Sequence, residues 1–84
     1  MEVNCHGMEL VTAEAEVLLT LQECKLEEDT SLSIIHGFHS GEVLKRYFNS
    51  DQFLSKMRRE GYRLTALRTS NPGTTNFRIE FVKK

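Results

Sequence analysis

Two short apolar runs in this chain end in the same dipeptide. Val3-Asn4-Cys5 leads into His6-Gly7, and thirty residues later Leu32-Ser33-Ile34-Ile35 leads into His36-Gly37. A helical pattern follows each pair. After the first, Leu10, Ala13, Val17 and Leu21 recur at i, i+3, i+7 and i+11, the stripe of an amphipathic helix over about residues 10–26. Acidic residues in its early turns suit the helix dipole. A strand, a crossover helix and a second strand almost always give parallel strands with a right-handed connection. If those strands are neighbours, both His-Gly pairs sit at the carboxyl edge of one sheet, where open α/β sheets bind ligands.

The rest of the chain closes the fold. Glu27 to Ser31 reads as a polar loop, and Phe38 to Ser40 as the loop after the second strand, with Ser40 a plausible N-cap. A helix runs from Gly41 to about Phe48. Asn49-Ser50-Asp51 interrupts it, and Ser50 or Asp51 caps a further segment through Glu60, which Gly61 ends. Tyr62, Leu64 and Ala66 alternate onto one face of a strand. Asn71-Pro72-Gly73 signals a turn, and Thr75, Phe77, Ile79 and Phe81 alternate on a last strand. The expected order is βαβαββ: an α/β (α+β) two-layer sandwich with helices on one face of a four-stranded mixed sheet.

The 84 residues read as a single domain, 1–84. A chain of this size buries only about 60–65% of its unfolded surface, so a site belongs on the surface or in a shallow groove. No stretch approaches the roughly 20 apolar residues of a membrane span. The Met-Glu-Val-Asn-Cys start lacks a secretory pattern, and the two cysteines form no paired motif. These features suggest reduced thiols, no membrane partner and a cytoplasmic location.

Charge is divided along the chain. Residues 1–41 carry one base, Lys25, against eight acids, whereas residues 42–84 carry ten bases against four acids. Such asymmetry points to an anionic partner, or else to two solvated faces of opposite sign.

The candidate site residues follow from position. Asn4 and His6, two apart on a strand, share a face. His6 either approaches a ligand or ties off the strand end. His36-Gly37-Phe38-His39-Ser40-Gly41 connects a strand to a helix N-terminus, where free N–H groups attract anions. Gly37 and Gly41 let backbone come close to a phosphate. Ser40 adds a hydroxyl, Lys45 a cation one turn on, and Phe38 either stacks on a base or tucks under the first helix. Arg68 and Arg78 are expected side by side on the closing hairpin, part of a stripe with Arg58, Arg59 and Arg63. Three histidines and Cys5 invite a zinc reading, but their spacing matches no zinc motif, so no metal site is expected.

Together these residues resemble the Smr (small MutS-related) domain, in a short stand-alone form. The family's first motif is similar to Asp-Leu-His-Gly, here Asn4-Cys5-His6-Gly7. Its second is a strand ending His-Gly-x-Gly-x-Gly, here His36-Gly37-Phe38-His39-Ser40-Gly41, continued by Glu42-Val43-Leu44-Lys45. Asn71-Pro72-Gly73-Thr74-Thr75 resembles its closing hairpin. The resemblance implies a fold similar to the C-terminal domain of translation initiation factor three. It also implies nucleic-acid binding, with endonuclease activity in several members, and a site at His6, Gly7, His36, Gly37 and Gly41. Two positions depart from the pattern: Asn4 replaces the aspartate and His39 the middle glycine. Asparagine is no general base and a poor ligand for a hard metal, which argues against nuclease chemistry.

The expected function is nucleic-acid binding, RNA favoured over DNA, with no cofactor. The first alternative is an endonuclease in which His6 and His36 share acid and base roles, since imidazole is the side chain that exchanges protons near neutral pH. Cleavage of DNA would call for a divalent metal. The second alternative is a protein–protein adaptor working through the acidic first helix.

Overall fold

The structure, a computed structural model, describes residues 1–37 and 42–82. Its elements are β1 (Glu2–Asn4), α1 (Leu10–Glu27), β2 (Ser31–Ile35), α2 (Glu42–Phe48), α3 (Asp51–Arg59), β3 (Tyr62–Leu67) and β4 (Thr74–Phe81). The strands form one mixed sheet in the order β1-β2-β4-β3. β1 runs parallel to β2 with Asn4 opposite Ile35, as a crossover through the single helix α1 leads one to expect. β4 lies antiparallel to both β2 and β3. The expected βαβαββ sandwich is therefore the observed one.

Period 2 in the strands and period 3.6 in the helices set what is buried. Ala13, Val17, Leu21 and Cys24 form the inward stripe of α1, and all are fully buried. Its first turn contains no acid, and the acids of its early turns are Glu14 and Glu16. Glu9 stands just before the helix at the N-cap without a side-chain cap bond, and Glu14, one turn on, engages Tyr47 and Lys56. Glu28 ends the helix in the left-handed region (φ 57°), its N–H bonded back to the Cys24 and Lys25 carbonyls. In α3 the Ser50 hydroxyl accepts from the Phe53 N–H at 3.2 Å, which makes Ser50 rather than Asp51 the cap.

The core lies between the helices and one face of the sheet. Phe48 of α2 and Phe53 of α3 meet edge to face at 4.9 Å, and Phe53 reaches Phe77 of β4 at 6.3 Å. All three rings are fully buried, each worth about 2–3 kcal/mol of apolar transfer. This cluster fixes α2 and α3 against β4, and so fixes where Lys45 and Asn49 stand. The other sheet face carries Glu2, Asn4, Ser33, Asn76 and Arg78, exposed or half-buried. No helix among the described residues is long and apolar enough to cross a membrane.

Candidate functional site at the carboxyl edge of the sheet

The register brings the two His-Gly pairs together. The Cys5 N–H donates to the Ile35 carbonyl at 2.8 Å, extending the β1–β2 pairing by one residue. The chain then turns: the His6 N–H donates to Asn4 Oδ1 at 3.0 Å, and the Met8 N–H to the Cys5 carbonyl at 3.0 Å. Asn4 and His6 are both exposed, and Gly7 adopts φ +80°. The His6 imidazole lies directly over Gly37. A Cβ on Gly37 would sit 3.0 Å from His6 Nε2 and closer still to Cδ2. Gly37 also has φ +91°, a conformation that side chains resist. Both requirements make this position glycine.

His36 is placed differently from His6. It has no solvent exposure and lies under the edge. Its Nδ1 is 3.1 Å from the Gly37 carbonyl and its Nε2 2.9 Å from Thr75 Oγ1. A carbonyl only accepts, so Nδ1 carries the hydrogen of that bond. In that tautomer Nε2 accepts from the Thr75 hydroxyl. Thr75 Oγ1 in turn accepts from Asn49 Nδ2 at 3.2 Å, and Asn49 Nδ2 also donates to the Lys45 carbonyl at 2.8 Å. This chain of bonds ties the end of β2 to β4 and to the C-terminal part of α2.

The turn before β4 joins the same edge. The Gly73 carbonyl accepts from both the His36 N–H at 3.0 Å and the Gly37 N–H at 3.1 Å. Asn71 Oδ1 holds the Gly73 N–H at 2.9 Å, closing the Asn71-Pro72-Gly73 turn. Between this turn and α2 lies an open cleft of about 210 Å³. It is lined by Lys45, Asn49, Leu67, Thr69, Asn71, Pro72, Thr74 and Thr75, with no carboxylate among them. Lys45 is exposed and makes no ion pair among the described residues.

A solved structure shares this architecture. The Smr domain of Thermus thermophilus MutS2 superposes with a TM-score of 0.68 over 94% of this chain and 96% of that one, at 21% sequence identity. The fold is that of an Smr domain. No family model matches the sequence, and no curated protein is significantly similar to it.

Within this Smr fold the structure gathers Asn4, His6, Gly7, His36 and Gly37 at one edge, with Lys45 on the far wall of the adjoining cleft. Phe38, His39, Ser40 and Gly41 lie outside the described residues. The first described turn of α2 carries Glu42, paired with Arg46 one turn on at 3.3 Å. Arg68 and Arg78 are not neighbours, which corrects the expected pairing. Arg68 lies past the end of β3, in the loop 68–73, while the register sets Arg78 opposite Thr65 and Ser31 on the open sheet face. The hairpin loop is longer than its turn motif suggests, and it carries Arg68 out of the ladder. Cys5 is buried, its Sγ 3.9 Å from the Ala13 carbonyl, and no three metal-ligating side chains gather among the described residues.

Asn49 and Thr75 are the residues that sequence reasoning missed. Thr75 carried a signal: it is the polar member of the inward set Thr75, Phe77, Ile79, and a buried hydroxyl needs a partner. Asn49 carried none beyond breaking a helix.

Proposed function

We propose that this Smr-fold domain binds nucleic acid, RNA in preference to DNA, along the carboxyl edge of its sheet. The observation that carries the reading is the cleft beside the His-Gly pairs. In a chain of net charge −1, its lining offers a free ammonium, amides and hydroxyls without a single carboxylate. That chemistry suits a phosphodiester, with Lys45 supplying charge and Asn49, Thr69, Asn71 and Thr74 supplying hydrogen bonds. Hydroxyl and amide groups also suit the ribose 2′-OH, which supports RNA. Asn4 and the His6 ring flank the same edge as contact residues. His36 acts as a positioning residue, because its imidazole holds Thr75 and the Gly37 carbonyl rather than facing solvent.

The exposed position of His6 favours one secondary reading, an endonuclease. Its ring makes no hydrogen bond among the described residues, which leaves it available to exchange a proton with a ribose hydroxyl or a leaving oxygen. An acid/base pair with His36 would require the buried imidazole to reach the phosphate as well, so binding without cleavage is the better supported of the two.

The test is a native gel of labelled hairpin RNA and matching DNA over a range of salt, with a denaturing gel alongside. Binding should weaken steeply with salt, and Lys45→Ala should reduce the slope of log K against log salt by about one. Salt-insensitive binding, or none, would overturn the reading. Products that form in EDTA and disappear in His6→Ala would establish the ribonuclease instead.

A further inference from the structure

We infer that the outer face of α1 is a docking surface for a basic amphipathic helix of a partner protein. Helix α1 is apolar on two sides. At 3.6 residues per turn, the buried residues Ala13, Val17, Leu21 and Cys24 span an arc of about 80°. Val11, Ala15, Leu19 and Leu26, with the polar Gln22 among them, span a second arc of similar width, centred about 160° from the first. Val11 is 82%, Leu19 53% and Leu26 84% exposed. Single exposed hydrophobic residues are ordinary, but a row along a helix that looks away from its own core is the form in which helices present a seam to a partner. The row covers about four turns, roughly 22 Å.

Charge selects the occupant. Glu16, Glu23 and Glu27 run beside the row on one flank, and none makes an ion pair among the described residues. The other flank carries Lys25 and the Glu14 carboxylate, which Lys56 and Tyr47 already engage. An acidic flank repels nucleic acid, so this face is separate in kind from the cleft at the sheet edge. It also opposes a second copy: in an antiparallel two-fold pairing the Glu16–Glu23–Glu27 flank would face itself. A helix with leucine or isoleucine in its seam and Lys or Arg beside it satisfies both the row and the flank.

A labelled 21-residue model peptide of that design serves as the probe, with two control peptides. One has its basic flank changed to Glu, the other its apolar seam changed to Ser. Fluorescence anisotropy should show binding of the basic peptide only. Leu19→Ser with Leu26→Ser should weaken it about tenfold or more, and Glu16→Gln with Glu23→Gln and Glu27→Gln should weaken it and flatten its salt dependence. All five positions are on the surface, and an unchanged Tm for each variant would show that the fold is intact. Equal binding of the Glu-flanked or the Ser-seam peptide would overturn the inference. So would undiminished binding by the leucine variant. A wild-type dimer in sedimentation velocity that this variant dissolves would also overturn it, by assigning the face to self-association.

Discussion

Replacing Gly37 by alanine tests the convergence of the two His-Gly pairs, because two separate penalties fall on one methyl group. The first is conformational: at φ +91° an L side chain costs about 1–2 kcal/mol. The second is steric. The new Cβ would overlap the His6 ring, so the ring must swing away and give up its contacts with the Gly37 backbone, roughly 0.5–1 kcal/mol at 0.1–0.2 kcal/mol per atom pair. Gly7 is the internal control. It has φ +80°, yet a Cβ there would meet nothing within 4 Å, so Gly7→Ala carries the first cost alone. In a domain of this size each kcal/mol moves Tm by about 4–8 °C. Gly37→Ala should therefore lie several degrees below Gly7→Ala in a thermal melt. His6→Ala removes the ring, and in that background the extra loss should vanish, a coupling of about 0.5–1 kcal/mol in urea titrations. Equal losses for the two glycine variants, additive with His6→Ala, would refute the packing of His6 on Gly37 and the shared edge built on it.

Other expectations follow from the same geometry. Thr75→Val should cost about 1–3 kcal/mol in urea unfolding, because it strips the hydroxyl partner from buried His36 Nε2 and from Asn49 Nδ2; a neutral result would show that the network contributes nothing. Burial, and then the Glu14 carboxylate it donates to, pushes the Tyr47 phenol up to about 12 from an ordinary 10.0. The stabilisation from that shift is complete below pH 10 and lost as pH rises towards 12, so alkaline unfolding should be less steep in Tyr47→Phe. Burial opposes ionisation of Glu14, but hydrogen bonds from Lys56 and Tyr47 and the charge of Lys56 outweigh it and hold the carboxyl below its ordinary value. That contribution is present above the ordinary carboxylate pKa and lost as pH falls through the lowered one, and Glu14→Gln should shift the acid limb of the stability curve. Burial pushes both the Cys5 and Cys24 thiols up, with nearby acids adding to it. A thiol reagent should label them only at the rate of unfolding, and rapid labelling of the native protein would contradict their burial.

Much of the fold was readable because its signals are local. The α1 stripe, a cap at Ser50 or Asp51, Gly61 and the alternation of β4 each declare themselves within a few residues, and together they dictate βαβαββ. The parallel direction of β1 and β2 followed from the crossover rule, whereas their adjacency, which brings His6-Gly7 beside His36-Gly37, is a fact of the sheet order. Arg68 and Arg78 show where this stops. Their distance apart depends on the length of the hairpin loop and the strand register, and a turn motif specifies neither.

Residue types and periodicity alone determined the order of the elements, the inward face of each and the edge on which the His-Gly pairs lie, since those follow from backbone geometry and chain connection. Only the tertiary structure decided that the two histidines have different surroundings. Neighbouring strand ends that look alike in sequence differ in what packs over them. β1 is an edge strand, which leaves His6 exposed. β2 lies between β1 and β4, and there Thr75 and Asn49, from parts of the chain remote in sequence, close over His36 and enclose it.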